Sequence, residues 1–358
     1  MITIPSSVLK DAIKRVGPAV DRRSIITAFR SVRLFIDGNT FEMTAGSPDG
    51  QMRFRAELEQ GSKWKIDVCV DVARIVPLTT VCDDTVGISE QKNGRVKFST
   101  SSYNVAVPSF PGEQFPLVSV SEKAIAAFDV VGLPGLISSV AFAADANDVR
   151  PTCQGVWLQS DGDLFTAVST DGKILAASQV KLGATPFAVM ISTDAAELLA
   201  SLDPTHLTLT TEHLIARNEV AELIIKPMLN QSFDWARLIP APKRSAKFES
   251  APLREAVSMY RHYGDKIGTV KFKTEGTECT VEISNADDDA RAELDVELGD
   301  DDTVFDIAFS GSQLAQILQR APADEITFFW EQASAKERPR AFLVQNGNWR
   351  GVITPLIV

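Results

Sequence analysis

Cysteine, histidine and tyrosine are scarce in this chain: its 358 residues include four, three and three of them. Cys69, Cys82, Cys153 and Cys279 stand far apart, with no CxxC pair and no histidine at ligand spacing, which excludes a zinc ribbon and a disulfide framework. They read as reduced thiols used as small buried hydrophobes. His206, His213 and His262 are too scattered for a metal centre, so neither a metal nor another cofactor is expected. No apolar run approaches the ~18 residues of a membrane span. The opening MITIPSSVLKDAIKRV carries Lys10 and Asp11 where a secretory signal has its apolar centre, which points to a cytoplasmic protein. Basic excess is missing too. With 36 Lys and Arg against 47 Asp and Glu the net charge is -11, which excludes nucleic-acid binding by a generally basic surface but leaves room for local basic patches.

Catalytic motifs are equally absent. There is no GxxxxGK[ST] phosphate loop, no GxGxxG after a strand, no HExxH and no GxSxG elbow. The acidic clusters Asp287–Asp289 and Asp300–Asp302 lack the alternating spacing and trailing Glu of a calcium loop and read as solvated turns. Asp161, Asp163 and Asp171 sit in turn sequences, where Asp serves the local backbone. A non-catalytic protein is expected. The alternative, an enzyme on a repeated scaffold, would have to place an unfamiliar carboxylate site at Asp161 or Asp171.

What the chain does contain is repetition, at a spacing of roughly 120 residues. A strand runs into a polar turn and out again in FEMTAGSPDGQMRFRAEL from Phe41, FTAVSTDGKILAASQVKL from Phe165 and VEISNADDDARAELDVEL from Val281, each a hairpin signal. A second landmark switches from period two to period 3.6: KIDVCVDVARIVPL, PFAVMISTDAAELLASL and VFDIAFSGSQLAQILQRA, with Ser192 and Ser310 where helix N-caps are wanted. The third is a terminal strand carrying Pro108, Pro227 or Pro355, which marks a strand end or a sheet edge because proline cannot donate to the ladder. Each copy opens with a helix: Ser7–Val16, Leu133–Ala143 and Pro252–Tyr260. Three α+β units result, 1–120, 121–242 and 243–358, joined by the loop-like FPGEQFPLVSVSEK and IPAPKRSAK.

The threefold repeat, together with AFAADANDVRPTCQGVWLQ (Ala141–Gln159), STDGKILA (Ser169–Ala176), FDWARLIP (Phe233–Pro240), Phe115-Pro116 and the Pro355 C-terminus, resembles the bacterial beta sliding clamps, the beta subunits of DNA polymerase III. The resemblance covers the whole chain. It implies three clamp-type domains, each with two helices packed on antiparallel sheet. Two chains would assemble head to tail as a homodimeric ring, helices lining the central hole. Such a ring encircles double-stranded DNA without reading sequence and tethers the replicative polymerase, the clamp loader and other proteins that carry a clamp-binding peptide.

On this resemblance, weak phosphate contacts fall to Lys10, Lys14 and Arg15 of the opening helix, to Arg22 and Arg23 after it, and to Arg74, Arg254, Arg261 and Arg320. The second unit's helices have almost no basic residues, so its share comes from the loop residues Asn147 and Arg150. The peptide pocket takes Cys153, Thr170, Gly172, Lys173, Ile174 and Leu175 from the central unit, Phe233, Arg237 and Leu238 from the join, and Val352, Ile353, Thr354, Pro355 and Leu356 from the C-terminus. Tyr103 and Val105 of the first unit and Met259 and Tyr260 of the third are the expected dimer contacts. The chain departs from the family at Ile174, where a second polar or basic residue is usual, at Phe233, which displaces a proline, and at Ile357, which replaces a basic residue. These departures imply an altered peptide preference, and leave as an alternative a divergent clamp that serves a different polymerase or sequesters clamp-binding proteins.

Overall fold

A computed structural model describes residues 1–80, 83–120, 123–299, 304–331 and 339–357. Cys82 and the Asp300–Asp302 cluster lie outside the described residues. The first stretch of chain forms β1 (Ile2–Pro5), α1 (Ser6–Val16), β2 (Ser31–Ser47), β3 (Gly50–Asp71), α2 (Val72–Ile75), β4 (Thr85–Gln91), β5 (Arg95–Ser99) and β6 (Asn104–Pro111). Next come β7 (Ala124–Asp129), α3 (Leu133–Ser138), β8 (Gly155–Ser160), β9 (Leu164–Thr170), β10 (Ile174–Lys181), β11 (Phe187–Ser192), α4 (Thr193–Leu202), β12 (His206–Thr210), β13 (Leu214–Arg217) and β14 (Ala221–Ile225). The last are β15 (Arg244–Glu249), α5 (Ser250–Ser258), α6 (Tyr260–Tyr263), β16 (Thr269–Glu275), β17 (Glu278–Ser284), β18 (Asp289–Leu298), β19 (Ile307–Ser310), α7 (Gly311–Leu318), β20 (Glu325–Trp330), β21 (Phe342–Asn346) and β22 (Trp349–Ile353).

All three hairpins form where the alternation places them, as β2–β3, β9–β10 and β17–β18, each antiparallel. The α+β expectation is borne out, with helices packed on antiparallel sheet. The chain divides into two compact units, one of residues 1–135, 183–185 and 194–229, the other of 136–182, 186–193 and 230–358. Each holds one large sheet. The first runs β1-β4-β5-β6-β3-β14-β13-β12-β7, with β2 on β3; the second runs β11-β8-β9-β10-β22-β21-β20-β15-β18-β17-β16-β19.

Burial explains the helices. On α1, Leu9, Ala12, Ile13 and Val16 recur at helical spacing and are buried against β2 and β3, while Lys14 and Arg15 close the last turn, where cations suit the helix dipole. Leu253, Ala256 and Val257 of α5 and Leu314, Ile317 and Leu318 of α7 form the matching stripes in the second unit. Beneath them Phe248, Phe272, Phe305, Phe309, Phe328, Trp330 and Phe342 are all buried, with Phe305 at ring-centroid distances of 5.4–5.6 Å from Phe272, Phe328, Trp330 and Phe342.

Several boundaries differ from the sequence reading. The helix expected over Leu133–Ala143 stops at Ser138, where the Ser139 hydroxyl turns back to the Leu136 carbonyl and the Trp349 indole takes the Ser139 carbonyl. The third opening helix starts at Ser250 and breaks at Met259 before the one-turn α6. Helix α2 is a single turn: Asp71 caps it through the Ala73 N–H at 2.9 Å, and Pro77 has no N–H with which to continue it. Ser310 occupies the N-cap of α7 without capping it, since its hydroxyl meets Ser312 Oγ at 3.1 Å. Pro227 and Pro355 follow the ends of β14 and β22, as expected. Pro108 lies inside β6, on a stretch that pairs with β5 alone.

Candidate functional site

The turn of the β9–β10 hairpin is built by its own side chains. Thr170 Oγ1 accepts from the Gly172 N–H at 2.9 Å and donates to the Ile174 carbonyl at 2.6 Å, and Asp171 Oδ1 accepts from the N–H groups of Lys173 and Ile174. Gly172 has φ +82, a left-handed conformation that suits glycine, and a Cβ there would lie 2.5 Å from Arg150 Nη1. The Arg150 guanidinium therefore lies flat over the turn, donating to the Asp171 carbonyl at 2.6 Å and to both Asp148 oxygens at 2.9 and 2.7 Å. This pairing holds the Asp148 carboxyl down at about 2 and raises the Arg150 guanidinium further above its ordinary value. Asp171 Oδ2 also takes the Gln313 amide of α7 at 2.9 Å.

Beside this turn opens a cavity of about 1020 Å³, contained within the second unit. Cys153, Thr170, Ile174 and Leu175 form its buried wall, and Phe233 packs against it, stacked on Trp157 with centroids 5.6 Å apart. Arg237 and Leu238 stand exposed at the rim, while Val352 and Thr354 close the far side, where the Thr354 N–H donates to the Lys173 carbonyl. Of the fourteen residues expected here, the structure brings eleven together. Ile353 is fully buried in the sheet, paired with Ile174, and does not line the cavity, while its neighbours Val352 and Thr354 do. Pro355 and Leu356 line a separate groove beyond it.

Residues missed by sequence reasoning complete the lining: Thr152, Ile239, Pro240, Glu331, Arg340 and Ala341. So does Arg150, which was expected on DNA. The signal for it was present, since NDVRPTC leads directly into Cys153. Among the cavity's charges, Arg150 is paired with Asp148, Arg237 with Asp234 at 2.6 Å and Glu331 with Lys243 at 2.7 Å. Lys173 and Arg340 have no ion-pair partner among the described residues. The opening is thus apolar inside and cationic at its edge, a chemistry that suits an apolar peptide carrying a carboxylate.

The expected phosphate-contacting residues separate into two states. Lys10, Lys14, Arg22 and Arg23 line one groove of about 1250 Å³ in the first unit, with Asp194 and Glu197 of α4 on the same groove. Arg15 is tied to Asp11 at 3.1 Å, and Arg74 and Asn147 are exposed. Of the third-repeat cations Arg261 is exposed on α6, while Arg254 and Arg320 contact the protein itself. Arg254 donates to the carbonyls of Leu318, Ala321 and Pro322 at 2.9–3.1 Å, closing the C-terminus of α7. Arg320 lies 3.9 Å over the Phe142 ring, and burial lowers its pKa. Arg254 thus commits Nε and Nη2 to a helix end, and Arg320 commits Nη1 to the Gln316 carbonyl at 3.1 Å. Among the described residues no group of acidic, cysteine and histidine side chains could hold a metal ion. The Cys69 and Cys279 thiols are pushed up to about 12 by burial, which makes them poor nucleophiles. Asp287 and Asp288 donate backbone N–H groups to Asn285 in an ordinary turn.

Of the expected dimer contacts, Tyr103 is exposed and Val105 half-buried on β6. Tyr260 belongs to its own unit: its ring wedges against Gly268 and Gly311, where a Cβ on Gly311 would lie 2.5 Å from Tyr260 Cγ. Besides the end strands of the two sheets, β6 and β18 each have a stretch that is paired on one side only among the described residues. In β6, residues 104–108 pair only with β5; in β18, residues 289–295 pair only with β17.

A thrice-used hairpin, strand-to-helix switch and terminal strand, with a cavity on the central hairpin, define the fold of a DNA polymerase sliding clamp. No protein-family model matches the chain. It is 21% identical over 345 residues to the beta sliding clamp of Vibrio cholerae, covering 93% of each chain. The structure matches the crystal structure of the DNA polymerase III subunit beta from Pseudomonas aeruginosa with a TM-score of 0.90 at 19% identity, covering 100% of both. It also matches that organism's sliding clamp bound to griselimycin, with a TM-score of 0.89. The resemblance drawn from the sequence is borne out. No helix among the described residues is long and apolar enough to cross a membrane.

Proposed function

We propose that this chain is a non-catalytic processivity clamp of three domains, 1–120, 121–242 and 243–358, which closes as a homodimeric ring around duplex DNA and holds polymerase and other partners by a peptide in the β9–β10 cavity. One observation carries the ring. The terminal strand of a repeat joins the second strand of a neighbouring repeat's hairpin twice within the chain: β14 on β3, with Ile225 opposite Gly50, and β22 on β10, with Ile353 opposite Ile174. In both joins the residue two before the landmark proline meets the first residue of the hairpin's second strand. Applied a third time, the rule sets Ala106 of β6 opposite Asp289 of the partner subunit. Both stretches, 104–108 of β6 and 289–295 of β18, are paired on one side only, so pairing them closes the ring and covers both edges. Charge agrees, since Arg95 and Lys97 flank β6 on β5 while β18 carries Asp289, Glu293 and Asp295.

DNA contacts fall on the first unit's groove of Lys10, Lys14, Arg22 and Arg23 and on Arg74, and, in the second unit, on Asn147. The carboxylates of Asp194 and Glu197 on the same groove weaken its hold on phosphate, which favours sliding over fixed binding. Light scattering tests the ring: a dimer is expected, converted to monomer by Val105→Asp with Ala106→Pro. A loaded dimer should stay on covalently closed circular DNA and leave when the circle is cut. Equal loss from intact and cut circles defeats the topological reading. The cavity is tested with a peptide ending in Leu-Phe, whose affinity should fall about tenfold or more in the rim variant Leu238→Asp.

A further inference from the structure

Beyond the first cavity lies a second groove of about 600 Å³, which takes Pro355 and Leu356 of the expected pocket set together with residues of β16 and β19 that the clamp reading does not use. It runs between the C-terminal segment, held by the Leu356 N–H on the Ala308 carbonyl, and strands β16 and β19. All of it belongs to the second unit. Its wall is apolar, from Phe272, Ala308 and Leu356, and its rim carries Lys271, Lys273 and Arg340 against a single carboxylate, Asp306. That carboxylate turns away to the Thr274 N–H at 2.8 Å, and Lys273 meets Glu282 at 3.0 Å. Lys271 and Arg340 have no ion-pair partner among the described residues. A cationic rim over an apolar wall is notable on a chain of net charge -11. Arg340 lines both this groove and the first cavity, so the two adjoin at one side chain.

We propose that this groove is a second docking site for the partner polypeptide, taking an acidic stretch with apolar side chains that continues out of the first cavity past Arg340. The assignment rests on the peptide reading of that cavity. Continuity through Arg340 delivers the chain to the groove, the apolar wall accepts its aliphatic side chains, and Lys271 and Arg340 meet its carboxylates. Tethering makes the second contact intramolecular, so modest interactions there add to the first without a second association cost.

Isothermal titration with three synthetic peptides tests this: one ending in Leu-Phe, and two in which the same sequence is lengthened at either end by Asp-Ile-Glu-Leu. One lengthened peptide should bind roughly tenfold tighter than the short one at low salt. Lys271→Glu should abolish that gain while leaving the short peptide's affinity unchanged, which also shows that the variant is folded. Replacing Asp and Glu of the extension by Lys should abolish it as well. If neither lengthened peptide gains affinity, or the gain survives Lys271→Glu, the second site is overturned while the first stands. If the short peptide fails to bind at all, the first cavity's assignment falls and this proposal falls with it.

Discussion

Arg23 and Arg254 belong to the opening-helix region of two different repeats, and their guanidinium groups do opposite things. Arg23 stands exposed in the loop after α1, on a groove it shares with Lys10 and Lys14. Arg254 is folded against α7, with its Nε and Nη2 donating to the carbonyls of Leu318, Ala321 and Pro322. A helix leaves its last carbonyls unpaired, and a buried end must find donors for them. In the third repeat an arginine supplies these donors, which ties its guanidinium to the helix end. In the first repeat α1 ends in a 3₁₀ turn whose backbone closes on itself, with the Val20 N–H on the Gly17 carbonyl, and the cations beyond it are released to solvent. The two cations therefore differ in that one helps to satisfy a helix end while the other is left in solvent.

The sharpest way to break this comparison is to remove each set of cations in turn. Reversing Lys10, Lys14 and Arg23 together to Glu should lower affinity for duplex DNA by roughly a hundredfold near 0.1 M salt and flatten the salt dependence by about three contacts. The melting temperature should stay unchanged, because these side chains are solvated. Binding that keeps its full salt slope would show that phosphate is held elsewhere. Arg254→Ala should reverse the pattern. Orphaning those carbonyls costs about 2 kcal/mol, read as a lowered denaturant midpoint, while DNA affinity of the folded protein stays within about twofold of wild type. A stable variant that has lost DNA would restore Arg254 to the phosphate set. Arg320→Ala should cost less, about 1 kcal/mol for the stacking on Phe142, with Arg320→Lys recovering part of it.

The same physics decides what could be read from the sequence. Hairpins, amphipathic stripes and the proline-marked strands were legible because period two, period 3.6 and a missing N–H are local properties. Most of the cavity was legible too, since the STDGKIL hairpin and the residues around Val352 carry the family resemblance. What could not be read depends on partners distant in the chain. Arg254 is a plausible surface cation until Leu318 is known to end a helix beside it, and Ile353 is a plausible pocket residue until its complete burial within the sheet is seen. Glu331 and Arg340 lie about a hundred residues from Phe233 and are joined to the cavity only by the sheet. The open edge of β18 likewise appears only once β15 is seen to stop short of residues 289–295.

The smallest expected effect separates Arg150 from the solvated cations by pH. Its partner Asp148 has a carboxyl depressed to about 2, chiefly by the hydrogen bonds from Arg150. An unfolded Asp titrates near 3.9, so the folded state binds this proton less tightly than the unfolded one. The contribution of the pair to stability is therefore fully present above about pH 4 and is lost as pH falls from there toward 2. The Arg150 side chain is exposed and water screens its charge, so the effect is a modest one confined to that window, although the Asp148 side chain is largely covered. Asp148→Asn should remove it and free the guanidinium from the Gly172 turn, weakening the Leu-Phe peptide a few-fold at neutral pH while leaving DNA affinity unchanged. The reverse outcome, weaker DNA binding with peptide affinity intact, would return Arg150 to the phosphate surface and make its fit over Gly172 incidental.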